Sequence, residues 1–315
     1  MSSAPAPAIG RVSGSGLVFA VAAYLLWGFL PVLFFGLRPS GAIEIVSWRI
    51  VFSLIFCALL VTVTRSWPRL LAILKDRTAV LTLALAAVFI LINWLVYVFA
   101  SVSGHVVEAS LGYFTNPIVT VLLGVIILRE RLRPLQWVAI GVSAIAVLLL
   151  AIGYGAFPWI ALSLAFSFGI YGLIKKRVSS RADAVSGLSI ETAILSPFAL
   201  IALAVVGTSS GLTIGTVSPL HTILMLSVGI ATAVPLILFA AAARRLPLVY
   251  LGLVQYIAPL MQLIVGVYFL HEDMPPQRWL GFGIVWLALA ILTADMFAHG
   301  IRQRSAAAAV AEGAP

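Results

Sequence analysis

Residues 111–141 read LGYFTNPIVTVLLGVIILRERLRPLQWVAIG, and residues 253–283 read LVQYIAPLMQLIVGVYFLHEDMPPQRWLGFG. At an offset of 142 (253 − 111) and with no gap, nine positions are identical. The identical pairs are Leu111/Leu253, Pro117/Pro259, Gly124/Gly266, Val125/Val267, Leu128/Leu270, Glu130/Glu272, Pro134/Pro276, Trp137/Trp279 and Gly141/Gly283. Apolar sequences match by chance at Leu or Val, but not easily at Pro, Gly, Glu and Trp in one register. The two stretches are therefore interpreted as an internal repeat.

The composition indicates a membrane protein. The 315 residues are 63% hydrophobic and 9% charged, with a mean hydropathy of +1.16. A soluble domain has about a quarter charged residues, so this chain has too few polar side chains to cover a surface in water. We therefore predict a polytopic membrane protein, although the length alone would suit two soluble domains.

Ten apolar runs are each long enough to cross a bilayer, which takes about 20 apolar residues in a helix. They cover residues 16–36, 42–64, 79–99, 104–128, 134–152, 157–175, 186–206, 220–242, 247–270 and 276–297. The runs lack strand-like alternation, so helices are favoured over a β-barrel. We predict an all-α fold with ten transmembrane helices, the first of them uncleaved because no small-residue cleavage site follows it.

The repeat equates the fourth and fifth runs with the ninth and tenth, which divides the chain into two five-helix halves. We predict halves at residues 16–152 and 157–297, with tails at 1–15 and 298–315. Because five is an odd number, the second half enters the membrane from the opposite side. Inverted repeats recur in secondary transporters, where the substrate site lies near the midplane between the halves. Alternating access follows when the two halves exchange conformations.

The basic residues set the predicted orientation. Of the 19 Lys and Arg residues, Arg38 and Arg278 fall on one side and Arg49 lies within a span, which leaves 16 on the other side. By the positive-inside rule both termini are predicted to be cytoplasmic. The formal net charge of +9 therefore reports topology. A nucleic-acid partner is not predicted, because the basic residues are dispersed over short loops without an aromatic-laced face.

The stretch SGHVVEASLGYFTNP, which ends at Pro117, places a His and a Glu in an apolar run. Spacings of three and four residues put five residues on one arc of a helix: His105, Glu108, Gly112, Thr115 and Asn116. Gly112 leaves room beside this stripe, and Pro117 removes a backbone hydrogen bond. A polar stripe with a helix break predicts a cavity wall.

Two more charges lie inside predicted spans: Arg49 in the second and Glu191 in the seventh, related by the repeat offset because 191 − 49 = 142. A charge at the bilayer centre costs about 2.5–3.5 kcal/mol on insertion scales, so both are predicted to face protein or water. Similar depth in the outer half suits an ion pair between Arg49 and Glu108, with Asn93 at comparable height.

The ninth run has a second polar stripe, made of Gln255, Pro259, Gln262 and Gly266. The predicted substrate or ion pathway consists of Arg49, Asn93, His105, Glu108, Asn116, Glu191, Gln255 and Gln262. The predicted positions of helix breaks and close packing are Gly112, Pro117, Pro259 and Gly266.

Structural roles are the alternative for each of these residues. An Arg49–Glu108 pair could simply join two helices, His105 could be wetted at the interface, and Glu191 could reach headgroups or pair with Lys175 or Arg244. The Asn and Gln residues could be interhelical hydrogen-bond partners. Packing or an interface belt is the default interpretation of five aromatic residues, and a substrate platform is the alternative. These are Trp27, Trp94, Tyr97, Tyr113 and Tyr256.

The sequence offers little for an enzyme or a metal site. It lacks a phosphate loop, a GxSxG elbow and an HExxH motif, and His105 with Glu108 would supply only two metal ligands. Cys57 is the single cysteine, which excludes an intramolecular disulfide, and a buried apolar role is the default. We predict no catalytic residues, no metal and no cofactor.

Four tracts resemble the RarD branch of the EamA family, within the drug/metabolite transporter superfamily. They are GLVFAVAAYLLWGFLPVLF, EIVSWRIVFSL, INWLVYVFASVSGHVVEASLGYFTNPIVTVLLGVIILRERLRPLQW and QYIAPLMQLIVGVYFLHE. The resemblance implies two EamA-type repeats of five helices, an inner-membrane location and transport of small metabolites or drugs, commonly outward. It supplies no agreed binding residues.

These observations predict a secondary transporter that exports a small amphipathic or zwitterionic solute by alternating access. Proton linkage is an option, since Glu108 could handle protons, and a functional monomer suits two fused repeats. The expected partners are the lipid bilayer and a small-molecule substrate. An uncoupled channel or facilitator, or a lipid flippase of the same architecture, is the alternative.

Overall fold

The computed structural model describes residues 14–128, 134–154, 157–178, 181–243, 245 and 254–312, and its regular structure is helical throughout these ranges. The helices are α1 (Gly14–Phe35), α2 (Ala42–Val63), α3 (Trp67–Lys75), α4 (Arg77–Ser103), α5 (Val106–Leu128), α6 (Pro134–Tyr154), α7 (Trp159–Val178), α8 (Ala184–Ser209), α9 (Pro219–Ala243), α10 (Ile257–Ile264) and α11 (Pro276–Glu312). A π-helical turn, Val265–Phe269, extends α10. Glu130 and Arg244, which the sequence analysis used, lie outside the described residues.

The structure has the helices of a polytopic membrane protein. Within the described residues, six helical segments are long and apolar enough to cross a bilayer: Gly14–Phe35, Ala42–Val63, Arg77–Ser103, Ala184–Ser209, Pro219–Phe239 and Pro276–Asp295. Shorter apolar helical stretches add Pro134–Ala146, Trp159–Lys175 and Ile257–Phe269. Each of the ten predicted runs overlaps a helix. The count of ten spanning helices and the inverted arrangement stay predictions.

Three predicted boundaries differ from the structure. The predicted loop after the second run contains α3, a short helix that buries Leu70 and Ile73 and exposes Trp67. In the ninth run the described part is interrupted by a turn at residues 255–256, and α10 begins only after it. The last helix continues past the predicted end at residue 297 as far as residue 312, because the sequence there is rich in alanine, the best helix former.

Two aspartates cap the starts of α4 and α8, which lie on the predicted cytoplasmic side. Asp76 Oδ1 accepts hydrogen bonds from the amides of Thr78 and Ala79. Asp183 Oδ1 does the same for the two amides that follow it by two and three residues. Each carboxylate satisfies N–H groups that have no partner within the helix.

Gly104 allows the connection between α4 and α5 to be very short. It adopts a positive φ of 77° at the C-terminus of α4, and α5 begins two residues later. Glycine takes up this left-handed conformation without a steric penalty. The two helices are therefore antiparallel neighbours in the chain.

Helices far apart in the chain pack together in a reciprocal pattern. Packing joins α2 to α8, α6 to α11 and α5 to α10. Helix α7 packs against α4 and α5, and correspondingly α1 packs against α9 and α10. In the same way, the packing of α2 against α9 corresponds to that of α8 against α4. Large apolar side chains such as Leu81 and Phe198 remain exposed on the outside of this bundle, where lipid is the expected solvent.

Candidate functional site

The guanidinium of Arg49 lies inside the bundle and is only 4% exposed. Its Cζ lies 4.4 Å from the centre of the Trp94 ring and 5.5 Å from the centre of the Phe34 ring. Within the described part of the chain, Arg49 Nε and Nη1 have no hydrogen-bond partner. Cation–π contacts contribute about 2 kcal/mol when desolvated, against about 2.5–3.5 kcal/mol for a charge at the bilayer centre. The aromatic rings therefore offset much of the cost of burying the charge, but they do not satisfy the N–H groups of Nε and Nη1.

Two tyrosines from neighbouring helices complete the surroundings of Arg49. Tyr97 on α4 and Tyr113 on α5 are the ionisable groups that act electrostatically on the guanidinium. Their rings contact each other edge to face, with centroids 5.5 Å apart. Phe34 packs on Tyr97 at 6.0 Å. Arg49 thus lies in an aromatic cage contributed by α1, α4 and α5.

Gln262 brings α10 into the same place. Its side chain lies beside the Tyr97 hydroxyl, and its Nε2 donates to the Trp27 carbonyl at 3.4 Å. Among the described residues, Gln262 Oε1 and the Tyr97 hydroxyl lack a partner in hydrogen-bond geometry. We call Arg49, Trp94, Tyr97, Tyr113 and Gln262 the central site. Buried polar atoms without partners are costly, so the central site is suited to bind a polar ligand.

Asn93 holds one wall of the central site in place. Its Oδ1 accepts from the Tyr113 hydroxyl at 3.0 Å. Its Nδ2 donates to the Leu164 carbonyl at 3.3 Å and to Ser167 Oγ at 3.2 Å. Asn93 therefore ties α4 to α5 and α7, and it orients a tyrosine beside Arg49.

The predicted ion pair between Arg49 and Glu108 is wrong. Glu108 Oε1 accepts from the amide of Ile160 at 3.2 Å, at the start of α7. A carboxylate is stabilised at a helix N-terminus by free N–H groups and the helix dipole. Glu108 joins α5 to α7 instead of contacting the guanidinium.

The rest of the α5 stripe follows the same seam with α7. Asn116 Nδ2 donates to the Ala165 carbonyl at 3.1 Å. A Cβ on Gly112 would lie 2.7 Å from the Ala161 carbonyl oxygen, so the glycine allows the backbones to approach closely. His105 is exposed, with its Nδ1 3.2 Å from Ser103 Oγ. The polar stripe of α5 therefore packs against α7, and the prediction that it forms a cavity wall is wrong.

Glu191 is fully buried and has its own partners. Its Oε1 accepts from Lys175 Nζ at 2.7 Å and its Oε2 from the Tyr171 hydroxyl at 3.2 Å. This is the structural alternative considered for Glu191, a pairing with Lys175. It links α7 to α8 nearer the predicted cytoplasmic side than Arg49.

Carboxylates also join the helices at the predicted outer face. Glu272 accepts from the amides of Val106 and Val107 at 2.6 and 2.8 Å, at the start of α5. Glu44 Oε1 accepts from Thr213 N at 2.8 Å and from its hydroxyl at 2.9 Å. Neither clamp was predicted, because each pairs residues more than 160 positions apart in the chain.

The remaining predicted positions are placed as follows. The α-helix is continuous through Pro117, and Pro259 lies in the first turns of α10, so neither breaks the helix that contains it. Gly266 lies in the π-helical turn, where a Cβ would come within 2.8 Å of a Val107 methyl carbon. Gln255 lies at the turn before α10, outside the contacts that define the central site.

A small crevice of about 10 Å³ lies between α2, α8 and α9. It is lined by Cys57, Leu60, Ala184, Val185, Leu188, Ala233, Leu236 and Ile237. Cys57 lies eight residues after Arg49 on α2, which is about 12 Å along the helix axis.

Sequence reasoning identified Arg49, Asn93 and Gln262 but assigned the surrounding aromatic residues to packing. One signal was present: Tyr97 follows Asn93 by four residues, so the two share a helix face. The pairing of that face with Arg49 could not be inferred, because it depends on how α2 and α4 pack.

The EamA-like transporter family matches this chain twice, at residues 14–152 and 158–294. The chain belongs to that family. Protein RarD of Streptomyces exfoliatus is 45% identical over 291 residues, covering 92% of each chain. Protein RarD of Escherichia coli is 39% identical, covering 89% of this chain and 94% of its own. These relatives place the chain in the RarD branch of the drug/metabolite transporter superfamily.

Two further relatives have names that state an activity or a phenotype. An uncharacterized transporter of Bacillus subtilis, YojE, is 39% identical over 88% of this chain and 93% of its own. The chloramphenicol-sensitive protein RarD of Pseudomonas aeruginosa is 31% identical over 89% of this chain and 94% of its own. One solved crystal structure superposes with a TM-score of 0.58, covering 90% of this chain and 99% of its own, at 16% identity. That likeness shows the fold alone. Family and relatives together identify a multi-pass membrane transport protein, not an enzyme, that contacts lipid and a small-molecule substrate.

Proposed function

We propose that this EamA-family member is a secondary transporter that exports a small metabolite or drug by alternating access. The central site is the observation that favours it. Unpartnered polar atoms of α2, α4 and α10 meet there, among helices from both predicted halves. Transporters bind substrate near the membrane midplane at such a junction.

The proposed architecture is ten helices in two inverted repeats, residues 16–152 and 157–297. Two family matches with nearly the same bounds support it. So does the reciprocal packing. Exchanging α1, α2, α4, α5 and α6 with α7, α8, α9, α10 and α11 reproduces the helix pairs that pack most extensively. Both termini are cytoplasmic in this proposal, in an inner membrane, and a monomer contains the complete site. The charge asymmetry of the loops is the support for this orientation.

The proposed energy source is the proton gradient, with Glu191 as the proton-binding group. Glu191 is buried against Lys175 and Tyr171, and the crevice lined by Cys57 lies nearby on α2 and α8. Intramembrane carboxylates commonly take part in proton relays. Glu191→Gln is expected to remove the dependence of export on an imposed pH gradient, whereas Glu191-independent coupling would leave that dependence intact.

Export profiling tests the function. Cells that produce the wild type, Arg49→Gln or Arg38→Gln at matched membrane levels are compared with empty cells by mass spectrometry of the medium. Arg38 is a matched control, because its guanidinium also lies over a ring, at 4.2 Å from Phe35, but is exposed. Solutes released by the wild type and Arg38→Gln but not by Arg49→Gln support the proposal. No difference between wild type and empty cells would contradict it.

Flux measurements separate the alternatives. A carrier gives saturable flux in proteoliposomes, whereas an uncoupled channel gives flux that rises linearly with solute. Movement of labelled lipid without solute flux would identify a flippase. Chloramphenicol belongs in the solute panel, because one relative is described as chloramphenicol-sensitive.

A further inference from the structure

The charge of the central site is not balanced by the protein. Four glutamates have partners away from Arg49. Glu44 binds Thr213 and Glu108 binds the Ile160 amide. Glu191 binds Lys175 and Tyr171, and Glu272 binds the amides of Val106 and Val107. Asp295 on α11 is also buried, but it is not among the groups that act on Arg49. Ion pairs within the described residues join Lys175 to Glu191 and Arg181 to Asp76, and neither includes Arg49. The phenols of Tyr97 and Tyr113 lie beside its guanidinium, and a phenol is neutral near pH 7. Over the described residues, the site therefore has one cation and no anion.

We infer that the central site binds the carboxylate of a small organic monoanion, with Arg49 as its counter-ion. This inference rests on the proposed transport function and names its substrate class. A buried guanidinium is stabilised most by an anion that can also accept its hydrogen bonds. A phosphate monoester has a charge of about −1.5 to −2, which a single cation would leave uncompensated. A carboxylate matches the charge of Arg49.

The rest of the site indicates what else the ligand contains. Gln262 Oε1 is an acceptor without a donor among the described residues, so it suits a hydroxyl group. An ammonium group would be repelled by the nearby guanidinium, and over the described residues the central site has no anion to offset that repulsion. Trp94, Phe34 and Tyr97 present aromatic rings around the guanidinium. The class that fits is a 2-hydroxy acid with an apolar or flat side chain, in preference to a zwitterionic amino acid or a neutral drug.

A matched ligand series tests this with purified protein. Phenyllactate, 2-hydroxyisocaproate and lactate supply the carboxylate and hydroxyl with different side chains. Phenyllactamide removes the charge, phenylalanine replaces the hydroxyl with an ammonium group, 3-phenylpropionate lacks the hydroxyl, and phenyl phosphate changes the anion. Binding is measured as the shift in thermal unfolding, followed by tryptophan fluorescence at pH 7.

The expected result is a melting temperature raised by about 3 °C or more with saturating phenyllactate, and by much less with phenyllactamide, phenylalanine or phenyl phosphate. Arg49→Gln should weaken phenyllactate binding by about 30-fold or more, while Arg38→Gln should leave it unchanged. Arg49→Lys should lie between them, because lysine keeps the charge without the planar guanidinium. Should Arg49→Gln fail to fold, Gln262→Leu supplies a second test. It should remove the advantage of phenyllactate over 3-phenylpropionate.

Several outcomes would overturn the inference. One is that phenylalanine, phenyllactamide or phenyl phosphate binds as tightly as phenyllactate; another is that none of the hydroxy acids stabilises the wild type. The others concern the variants: phenyllactate binds Arg49→Gln as tightly as the wild type, or Gln262→Leu still prefers phenyllactate to 3-phenylpropionate. Failure of the proposed function would look different. In that case phenyllactate would bind through Arg49 but no solute would cross the membrane, whereas export of another solute without hydroxy-acid binding would contradict only the inference.

Discussion

Glu272 Oε1 accepts a hydrogen bond from the amide nitrogen of Val106 at 2.6 Å, at the start of α5, although the two residues are 166 positions apart in the chain. A carboxylate at this place satisfies free N–H groups and interacts favourably with the helix dipole. We expect Glu272→Ala to destabilise the protein by about 1 kcal/mol, seen as a melting temperature lower by about 2–4 °C. Asp273→Ala is the control, because that neighbouring residue is exposed. Equal effects of the two changes would contradict this role.

Replacing Arg49 should stabilise the ligand-free protein. Its guanidinium is buried, and within the described residues Nε and Nη1 have no partner. Replacing a buried ion pair with well-packed apolar residues is often stabilising by about 1–4 kcal/mol, and removing a buried charge that has no counter-ion likewise removes its desolvation cost. We expect Arg49→Gln to raise the melting temperature by about 3 °C or more, with Arg38→Gln unchanged. A lower melting temperature for Arg49→Gln would show that the cation stabilises the fold.

A small residue at position 112 is required by the contact between α5 and α7. A Cβ on Gly112 would lie 2.7 Å from the Ala161 carbonyl oxygen and 3.0 Å from its Cα, and backbone cannot move aside cheaply. Overpacking typically costs about 1–3 kcal/mol, so Gly112→Ala should lower both the melting temperature and the yield of monodisperse protein. Gly141→Ala is the control, since nothing lies within 4 Å of its Cβ position. Similar stability of both variants would contradict the close approach.

Stability should fall in acid through the aspartate at the start of α8. Burial raises the pKa of Asp183, but hydrogen bonds from Ser186 and Val185 and the nearby Arg69 charge outweigh it, so its pKa lies below the ordinary value. A lowered folded-state pKa gives stability that is present above the unfolded pKa of about 3.9 and lost as pH falls through the folded value. Asp183→Asn keeps a capping side chain and does not titrate.

The measurement is melting temperature against pH from 7 to 3. The difference between wild type and Asp183→Asn should be constant from about pH 5 to 7 and should shrink below about pH 4. The pKa of Asp76 is also lowered, by the Ala79 amide and by Arg181, so part of the acid loss should remain in Asp183→Asn. A difference that does not change with pH would contradict the role of the Asp183 charge.

The contrast between α5 and α2 explains which predictions succeeded. The spacing of Glu108, Gly112 and Asn116 correctly placed them on one face, because helical periodicity is a local property. The same spacing could not say what that face meets. The structure places α7 against it, which gives Glu108 the Ile160 amide as partner and leaves Arg49 without a carboxylate.

By itself, the sequence determined a polytopic all-helical membrane protein of the EamA family. This was possible because a span must be apolar over about 20 consecutive residues, and this can be seen within each segment. Only the tertiary structure decided that Arg49, Tyr97 and Gln262 meet, that Glu191 pairs with Lys175, and that Glu272 caps α5. These contacts join helices far apart in the chain. They depend on the packing of helices against one another, which no local pattern of residues encodes.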